Sequence, residues 1–421
     1  MVDPKEQLHL FEGFGIELEY MIVDRDTLDV KSIADDLLKR AAGERASDFD
    51  DGAISWSNEL ALHVIELKTN GPVRSLVGAA KEFRRSLNRL SQIAEEFDCR
   101  LMPTAMHPWM NPIEELKLWP HDYNPIYEAY DRIFDCRGHG WANLQSMHIN
   151  LPFVGDDEFG RLHSAIRLIL PILPAIAASS PFADRRETGF FDYRMEVYRH
   201  NSKKIPSIAG WIIPEPVFTQ ADYEREIFDV SYRDIAPYDP DGILQSPFLN
   251  SRGAIARFER GAVEIRVIDI QECPEVDLAI AELVTKVVQL LVSESTLSYS
   301  QQKRVPTKPL ADIFFDVVRH ADQSVIHDQQ YLGTMGIASS SATAKEVWAA
   351  LLARLIRHPL DEPLSSTSVK VIETILEFGS LARRISNAVN HEMDRLPLVY
   401  GQLCDCLQRG KMFADDGHAI S

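Results

Sequence analysis

Residues 14–23 read Phe14-Gly15-Ile16-Glu17-Leu18-Glu19-Tyr20-Met21-Ile22-Val23, and their alternation predicts a β-strand with two unlike faces. Glu17, Glu19 and Met21 share one face. The other face is apolar and consists of Ile16, Leu18, Tyr20 and Ile22. Two carboxylates this close repel each other and are costly to bury unless cations or hydrogen-bond donors lie between them. Two interpretations follow, a site for a hard metal ion or an exposed polar strand face, and the stretch alone favours the second.

The composition is that of an ordinary globular protein with a strongly acidic balance. The 421 residues suffice for one large domain or two, with 45% hydrophobic and 25% charged residues. A formal net charge of −19 argues against nucleic acid or an anionic membrane as the main partner, because both would be repelled. An anionic substrate such as a nucleotide therefore needs metal ions or clustered arginines.

The sequence predicts a cytoplasmic protein. We expect no signal peptide before Phe14, since residues 1–12 lack an apolar run behind a basic start. The most apolar run, residues 168–178, contains Pro171 and Pro174 and is shorter than the roughly 20 residues of a membrane span. No cysteine pair has metal-site spacing, and we expect reduced structural thiols at Cys99, Cys136, Cys273, Cys404 and Cys406.

Further acids and one histidine lie in later strand-like stretches. Glu59 and Glu66 lie in an extended segment that ends at the turn signal Asn70-Gly71-Pro72. Their separation puts them on opposite faces of one regular strand, so a shared site requires a bulge or a turn. In the strand predicted over residues 143–151, one face carries Leu144, Ser146, His148 and Asn150.

Arginines accompany these acids in two places. A hairpin predicted over residues 254–269 places Glu264, Arg266 and Ile268 on one face. Glu264 and Arg266 would then either form a salt bridge or act as a metal ligand beside a phosphate-binding guanidinium. Residues 185–200 are rich in basic and aromatic side chains, and an anion site and a solvated loop are equally compatible with them. An aromatic segment expected to line a cleft contains Trp109, Trp119, Tyr123, Tyr127 and Tyr130.

Helical periodicity predicts most of the remaining structure. We expect helices over residues 33–42, 74–97 and 158–178, the last bent by its prolines. After Pro274 the chain is predicted to be almost entirely helical, with helices over 277–294, 309–320, 344–357, 369–390 and 396–408. Residues 333–341 are predicted to be a mobile loop, which lacks the lysine and the preceding strand of a phosphate-binding loop.

The predicted strands together supply Glu17, Glu19, Glu59, Glu66, His148, Glu264 and Arg266. Ligands this rich in oxygen suit Mg²⁺ or Mn²⁺, and they are numerous enough for more than one ion. Such ions neutralise nucleotide phosphates in an acidic protein. The residues therefore favour phosphoryl transfer.

The same residues resemble a known family through six motifs in order over residues 13 to about 290. They are Gly15-Ile16-Glu17-Leu18-Glu19; Val64-Ile65-Glu66 with Thr69-Asn70-Gly71-Pro72; Thr104-Ala105-Met106-His107-Pro108; Ser146-Met147-His148-Ile149-Asn150; Ser179-Ser180-Pro181-Phe182 with Thr188-Gly189-Phe190 and Arg194; and Glu264-Ile265-Arg266-Val267-Ile268-Asp269. The chain is similar to the carboxylate–amine ligases of the glutamate–cysteine ligase type 2 family, within the glutamine synthetase-like superfamily. It departs from many members at Asn150, where they have a second histidine, and in a longer helical region beyond residue 300.

The resemblance implies an α+β fold. A curved antiparallel sheet with ligands on its concave face is backed by helices, as in the glutamine synthetase catalytic domain. Residues 1–300 would form this catalytic domain, and residues 301–421 a helical C-terminal region packed on it.

The resemblance also implies a role for each candidate residue. Glu17, His148 and Glu264 would hold the metal ion nearest the nucleotide phosphates. Glu19 and Glu66, with Glu59, would hold the ion nearer the substrate carboxylate. Glu264 and Arg266 would be the catalytic pair, with Arg266 in contact with the γ-phosphate. Arg257 would bind nucleotide phosphates. Arg194 would bind substrate or phosphate.

The implied activity is ATP- and Mg²⁺-dependent formation of an amide from a small carboxylate and an amine through an acyl phosphate. The amide could be a γ-glutamyl bond, and Mn²⁺ is the alternative metal ion. Three alternatives stay open: a kinase of a carboxylate or guanidino group, a metal hydrolase that needs no nucleotide, and a binding protein without catalysis. The sequence does not identify either substrate. It also leaves the oligomeric state open, and a homo-oligomer is compatible with it.

Overall fold

An antiparallel β-sheet lies at the centre of the protein, which is described over residues 7–414 by a computed structural model. The strands are β1 Gly15–Asp24, β2 Asp48–Asp51, β3 Ile54–Asn58, β4 Val64–Thr69, β5 Cys99–Met102, β6 Ser146–Pro152, β7 Phe182–Ala183, β8 Arg186–Glu187, β9 Ala254–Arg257, β10 Ala262–Asp269, β11 Val325–Ile326 and β12 Ala342–Thr343. Eight of them form the main sheet in the order β2-β3-β4-β1-β6-β10-β9, with β5 beside β1. The predicted first strand is therefore confirmed, and it lies in the interior of the sheet.

Helices surround this sheet. They are α1 Ala34–Ala42, α2 Leu76–Glu95, α3 Pro112–Glu115, α4 Asn124–Phe134, α5 His139–Ala142, α6 Gly155–Ile169, α7 Pro174–Ala177, α8 Tyr193–Tyr198, α9 Gln220–Tyr223, α10 Asp229–Ile235, α11 Pro274–Val292, α12 Tyr299–Gln302, α13 Thr307–His320, α14 Gln329–Thr334, α15 Ala344–Arg357, α16 Ser366–Phe378, α17 Leu381–Val389 and α18 Leu396–Arg409. Both the antiparallel sheet backed by helices and the helical C-terminal region were predicted, and both are confirmed.

The apolar face of β1 packs against the helices α2 and α11. Ile16, Leu18, Tyr20 and Ile22 have no exposed surface and share a hydrophobic cluster with Phe83 of α2 and Leu283 of α11. Burying apolar area on this scale is the main source of folding free energy. This packing fixes which face of β1 points inward, and so directs Glu17 and Glu19 to the opposite face.

The opposite face of β1 is polar at one end and apolar at the other. Met21 and Val23 belong to a second hydrophobic cluster with Ile385 of α17 and Leu403 of α18. The last helices thus cover the far half of β1 and leave the half with the two glutamates uncovered by this cluster. The domain boundary at residue 300 stays a prediction.

Several predicted boundaries are wrong. The helix expected over residues 369–390 is two helices, because Gly379 has a φ of 91° and ends α16. The expected loop 333–341 begins inside α14 and leads directly into β12. The predicted bend at the prolines is confirmed, since a 3₁₀ turn at Leu170–Ile172 separates α6 from α7.

All five cysteines are buried and free, as predicted. Within residues 7–414, no helix combines the length and the apolarity that crossing a bilayer requires.

Three histidines are buried in the folded protein with one ring N–H donating to a backbone carbonyl. The bonds run from His63 to Ala142, from His107 to Leu28 and from His163 to Val217. Burial lowers the pKa of His63 and of His107 to about 4. Burial and the nearby charge of Arg167 lower the pKa of His163 to about 3. The native state therefore keeps these rings neutral at pH values where an unfolded chain protonates them.

We expect acid to destabilise the protein partly through these histidines. Below the unfolded pKa of about 6.5 the unfolded chain binds protons that the folded chain does not, so the free energy of unfolding falls as pH decreases toward the folded values. Between pH 7 and pH 5.5 each histidine contributes a loss of about 1 kcal/mol. Urea denaturation at the two pH values measures it. His163→Gln should reduce the loss by about that amount.

His358→Gln, at an exposed position, is the matched control and should leave the acid-induced loss unchanged. An unchanged loss in His163→Gln would show that this ring takes up its proton equally in the folded and unfolded states.

Candidate active site

Glu19 and Glu66 face each other across neighbouring strands in the middle of the sheet. The register of β1 and β4 makes them direct partners, and both side chains are largely buried, at 11% and 9% exposure. Like charges directly opposite in an antiparallel pair are destabilising, since their Cβ atoms are only about 5 Å apart. The pair therefore requires compensation from neighbouring groups or from a bound cation.

Strand β6 supplies donors to both acids of β1. The Ser146 backbone N–H and hydroxyl donate to Glu19 Oε2, at 2.7 and 2.9 Å. His148 Nδ1 lies 2.8 Å from Glu17 Oε2, and the Asn150 amide donates to Glu17 Oε1 at 3.0 Å. Each β1 carboxylate is thus oriented by a side chain of β6, as the alternation of β6 permits.

His148 is positively charged in this arrangement. Its Nε2 lies 2.9 Å from Ser146 Oγ, whose only hydrogen is directed to Glu19, so Nε2–H must donate. Burial lowers the pKa of His148, but the hydrogen bond and charge of Glu17 outweigh it and raise the pKa to about 9. For Glu17, burial raises the pKa, yet the hydrogen bond and charge of His148 bring it down to about 2.

On the other side of β1, strands β3 and β4 hold Glu66. The Ser57 hydroxyl donates to Glu66 Oε1 at 2.7 Å, and Lys68 Nζ lies 3.0 Å from the same oxygen. Burial and the charge of Glu17 nevertheless raise the pKa of Glu66 to about 7. One lysine therefore does not neutralise the acids around it.

Glu59 joins the group through the connection between two strands. The stretch predicted as extended divides into β3 and β4, and Glu59 lies in the turn between them. This is the interruption that the spacing of Glu59 and Glu66 requires for a shared site. Burial, together with the charges of Glu19 and Glu66, raises the pKa of Glu59 well above its usual value.

Two overlapping sets of side chains offer donor atoms within 4.8 Å of one another. One is Glu17, Glu66 and His148, and the other is Glu19, Glu59 and Glu66. Both sets are rich in carboxylate oxygen and share Glu66. This donor chemistry fits hard divalent cations such as Mg²⁺ or Mn²⁺, which also relieve the repulsion among the acids.

Glu264 lies beside these sets and is held by arginines. Its Oε1 is 3.8 Å from His148 Nδ1 and 3.0 Å from Arg266 Nε, and its Oε2 is 3.5 Å from Arg257 Nη1. In the part of the chain that the structure describes, neither set of converging donors includes Glu264, and Glu66 occupies the place expected for it. The Glu264 carboxylate and the Arg266 guanidinium project side by side, as the hairpin pattern predicted.

The expectation that Ile268 shares the face of Glu264 and Arg266 is wrong. The register of β10 with β6 shifts between Ile265 and Ile268. The resulting bulge pairs Ile268 with Met147, and both side chains lie in the hydrophobic core. A bulge re-aims the side chains around it, and here it leaves Arg266 on the polar side.

Arg194 is buried against an acid. Its guanidinium Nε donates to Asp269 Oδ1, and the two side chains are 3% and 0% exposed. A second nitrogen lies 3.3 Å from the backbone oxygen of Arg266. Arg194 thus supports the strand that carries Arg266, and its role in binding substrate or phosphate stays a prediction.

Two cavities open on either side of the acids. The first, the strand-end cavity, has a volume of 680 Å³ and is lined by residues that include Phe14, Glu17, Lys68, Asn150, Phe153, Phe258 and Arg260. The second, the aromatic cavity, has a volume of 360 Å³ and is lined by residues that include Glu19, Glu59, Tyr127, Tyr130, Trp141, His148, Phe248 and Arg266. The acids therefore lie where two ligands of moderate size can meet.

The aromatic segment predicted to line a cleft does so only in part. Tyr123, Tyr127 and Tyr130 line the aromatic cavity. Trp119 is fully buried in the main core, and Trp109 packs against the second hydrophobic cluster. Both tryptophans are therefore structural.

Sequence reasoning missed several site residues. Lys68 follows Glu66 by two residues, so the strand period alone would have placed it on the same face. Ser57 precedes Glu59 by two residues in an equally alternating segment. Trp141 and Phe248 come from segments distant in sequence, and no local pattern indicates that they meet.

Known proteins resemble this chain over most of its length. The model of the glutamate–cysteine ligase family 2 matches residues 13–396. An uncharacterized protein of Archaeoglobus fulgidus is 29% identical over 400 residues, which cover 95% of this chain and 99% of that protein. A protein of Clavibacter michiganensis named "Putative glutamate--cysteine ligase 2" is 27% identical over 225 residues, and the match spans only 52% of each chain.

A solved structure shows the same fold. The crystal structure of a glutamate–cysteine ligase from Francisella tularensis in complex with AMP matches with a TM-score of 0.59 and 15% identity. The match covers 94% of this chain and 88% of that one. This likeness confirms the predicted fold class.

We expect Glu59→Gln to stabilise the protein when metal ions are removed. The substitution keeps the shape of the side chain and removes one of the charges that repel each other around Glu66. The free energy of unfolding in EDTA at pH 8 should rise by about 1 kcal/mol or more, since one pKa unit corresponds to about 1.4 kcal/mol. Urea denaturation measures it.

Glu377→Gln, at an exposed position on α16, is the matched control and should change stability little. A loss of stability in Glu59→Gln would contradict the repulsion inferred from the geometry.

Proposed function

The chain belongs to the glutamate–cysteine ligase family 2, and we propose that it is an ATP- and Mg²⁺-dependent ligase that joins a small carboxylate to an amine through an acyl phosphate. The observation that supports this most is the pair of overlapping donor sets that share Glu66. They lie between two cavities, and the Arg266 guanidinium lines one of these.

The donor sets suit two divalent cations. We assign Glu17, Glu66 and His148 to one ion, and Glu19, Glu59 and Glu66 to the other, with Glu264 beside the first. Bound there, the ions would supply positive charge to the transferred phosphoryl group and to the reacting carboxylate. His148 must release a proton to become a ligand, because metal-bound imidazole is neutral.

The nucleotide is assigned to the strand-end cavity. Its volume of 680 Å³ is within the range of roughly 300–1,000 Å³ usual for small ligands. Phe14, Phe153 and Phe258 provide apolar surface for a base, and Arg260 and Lys68 provide positive charge for phosphates. The assignment puts the terminal phosphate near Glu17, at the edge of the acidic group.

The reacting acid is assigned to the aromatic cavity, beside Arg266. A carboxylate oxygen of the acid forms a bond to the γ-phosphorus while the bridging bond to the β-phosphate breaks, and ADP leaves with the electron pair. Arg266 is positioned to share the negative charge that spreads over the transferred group. Arg257 lies beside Arg266 and contacts Glu264. Burial lowers the pKa of the Arg266 guanidinium, but Tyr198 and Glu264 raise it by more, so the guanidinium stays charged.

The second step forms the amide. The amine nitrogen attacks the acyl carbon, the bond from carbon to the phosphate oxygen breaks, and inorganic phosphate leaves as the nitrogen loses a proton. The aromatic side chains around the cavity exclude water, which would otherwise hydrolyse the acyl phosphate.

Product analysis tests the proposed reaction against its rivals. The protein is incubated with Mg-ATP and a panel of carboxylic acids, with and without hydroxylamine or amino acids as the amine, and ADP and amide or hydroxamate are measured. We expect ADP release that depends on both acid and amine. Arg266→Ala should lower the rate by about a hundredfold or more without loss of folding.

Other outcomes identify the rivals. ADP release without any amine, together with a stable phosphorylated product, would indicate a kinase. Hydrolysis of a substrate without ATP would indicate a metal hydrolase. Arg304→Ala, a variant outside both cavities, serves as the control for Arg266→Ala and should retain activity.

A further inference from the structure

A third cavity, the helix-end cavity, has a volume of 260 Å³ and lies where α2 and α16 begin beside α11. It is lined by Ser75 and Ser365, the N-cap residues of α2 and α16. Glu282 and Lys286 of α11 line it as well. Phe14 is the one described residue that it shares with the strand-end cavity, so it is a separate space next to the proposed nucleotide site.

Two cations at the helix-end cavity lack a close partner. The Lys286 side chain is 10% exposed, and its ammonium is 3.8 Å from the Glu362 carboxylate, which is 84% exposed. This distance is too long for a hydrogen bond. The Arg74 guanidinium is exposed, and within residues 7–414 it has no ion pair or hydrogen bond. A nearly buried ammonium without an acceptor is unfavourable, and an anion in the cavity would supply one.

Hydrogen-bond donors surround the same space. The Thr285 hydroxyl is buried in a residue that is 2% exposed, and it has no partner among the described residues. The Ser75 hydroxyl accepts from the Gly78 backbone N–H at 3.3 Å, which leaves its own hydrogen to donate. The first turn of α2 contains no acidic residue, so no carboxylate of its own compensates the positive end of this helix. These donors and the two cations together favour a bound anion.

The carboxylate of Glu282 limits which anion can bind. Its Oε1 accepts from the Ser365 backbone N–H at 2.8 Å, and its Oε2 lies 2.8 and 2.5 Å from the hydroxyls of Ser365 and Ser368. A carboxylate oxygen can accept two hydrogen bonds, so Oε1 has one position left. An anion without a proton would be repelled by this carboxylate, whereas an anion that keeps a proton can donate to it.

We propose that the helix-end cavity binds inorganic phosphate as HPO₄²⁻. The charged oxygens lie toward Lys286, Arg74 and the start of α2, and the remaining O–H donates to Glu282. Binding displaces Glu362, whose exposed side chain turns into solvent. No covalent bond is made or broken. The inference is independent of the ligase proposal, although the second step of that reaction would release the same ion.

Isothermal titration calorimetry with phosphate and with sulfate tests this site. The titration is done at about pH 8, where phosphate is chiefly a dianion with one proton and sulfate is a dianion with none. EDTA is present, so that phosphate cannot bind through metal ions held by the active-site acids. We expect one phosphate per chain, and sulfate bound at least about ten times more weakly, since it cannot donate to Glu282.

Two variants should change the phosphate affinity in opposite directions. Lys286→Gln should raise Kd about tenfold, because it removes a charged donor. Glu362→Gln should lower Kd by about threefold or more, because it removes the carboxylate that competes for the ammonium. Lys370→Gln and Glu373→Gln, at exposed positions of α16 outside the cavity, make the same changes in net charge and should leave Kd unchanged.

Several results would overturn the inference. These are sulfate binding as tight as phosphate binding, a Kd that Lys286→Gln leaves unchanged, or a Kd that Glu362→Gln fails to lower. Loss of binding in Arg260→Gln would place the phosphate in the strand-end cavity and overturn it as well. Circular dichroism establishes that each variant is folded. If Lys286→Gln does not fold, Glu362→Gln decides, because that side chain is exposed and can be replaced without disturbing the core.

Discussion

The opposition of Glu19 and Glu66 across two paired strands is the constraint on which the site depends. The apolar face of β1 is locked against α2 and α11, so neither carboxylate can turn away from the other without breaking the register. The surrounding groups respond to this pair: Lys68 and Ser57 contact Glu66, and Ser146 donates twice to Glu19. Donors reduce the repulsion without removing it, and a divalent cation bound between the acids would complete the compensation.

The fold was predictable from sequence wherever a single local periodicity of apolar residues determined the secondary structure. The alternation over residues 14–23 specified both faces of β1, since a strand has only two. The bulge after Ile265 was not predictable, because one extra residue in a strand leaves the composition unchanged and alters only the pairing with β6. The break between α16 and α17 was marked by Gly379, whose positive φ ends the helix.

The site was predictable to the extent that it lies on strands. Glu17, Glu19, Glu66 and His148 are brought together by register, which their positions and the motif order indicated. Partners that come from distant segments were not visible, as where Asp269 takes the guanidinium of Arg194. Residue type indicates what a side chain can bind, whereas tertiary packing decides which partner reaches it.

A titration of the metal-free protein with Mn²⁺, followed by the electron paramagnetic resonance signal of the free ion, tests most directly whether these acids hold two cations. The shared position of Glu66 predicts two bound ions per chain, weakened binding of both in Glu66→Gln, and weakened binding of one in Glu59→Gln. Binding that is absent, or that Glu66→Gln leaves unchanged, would contradict the assignment of these carboxylates as the ligands of a two-ion site.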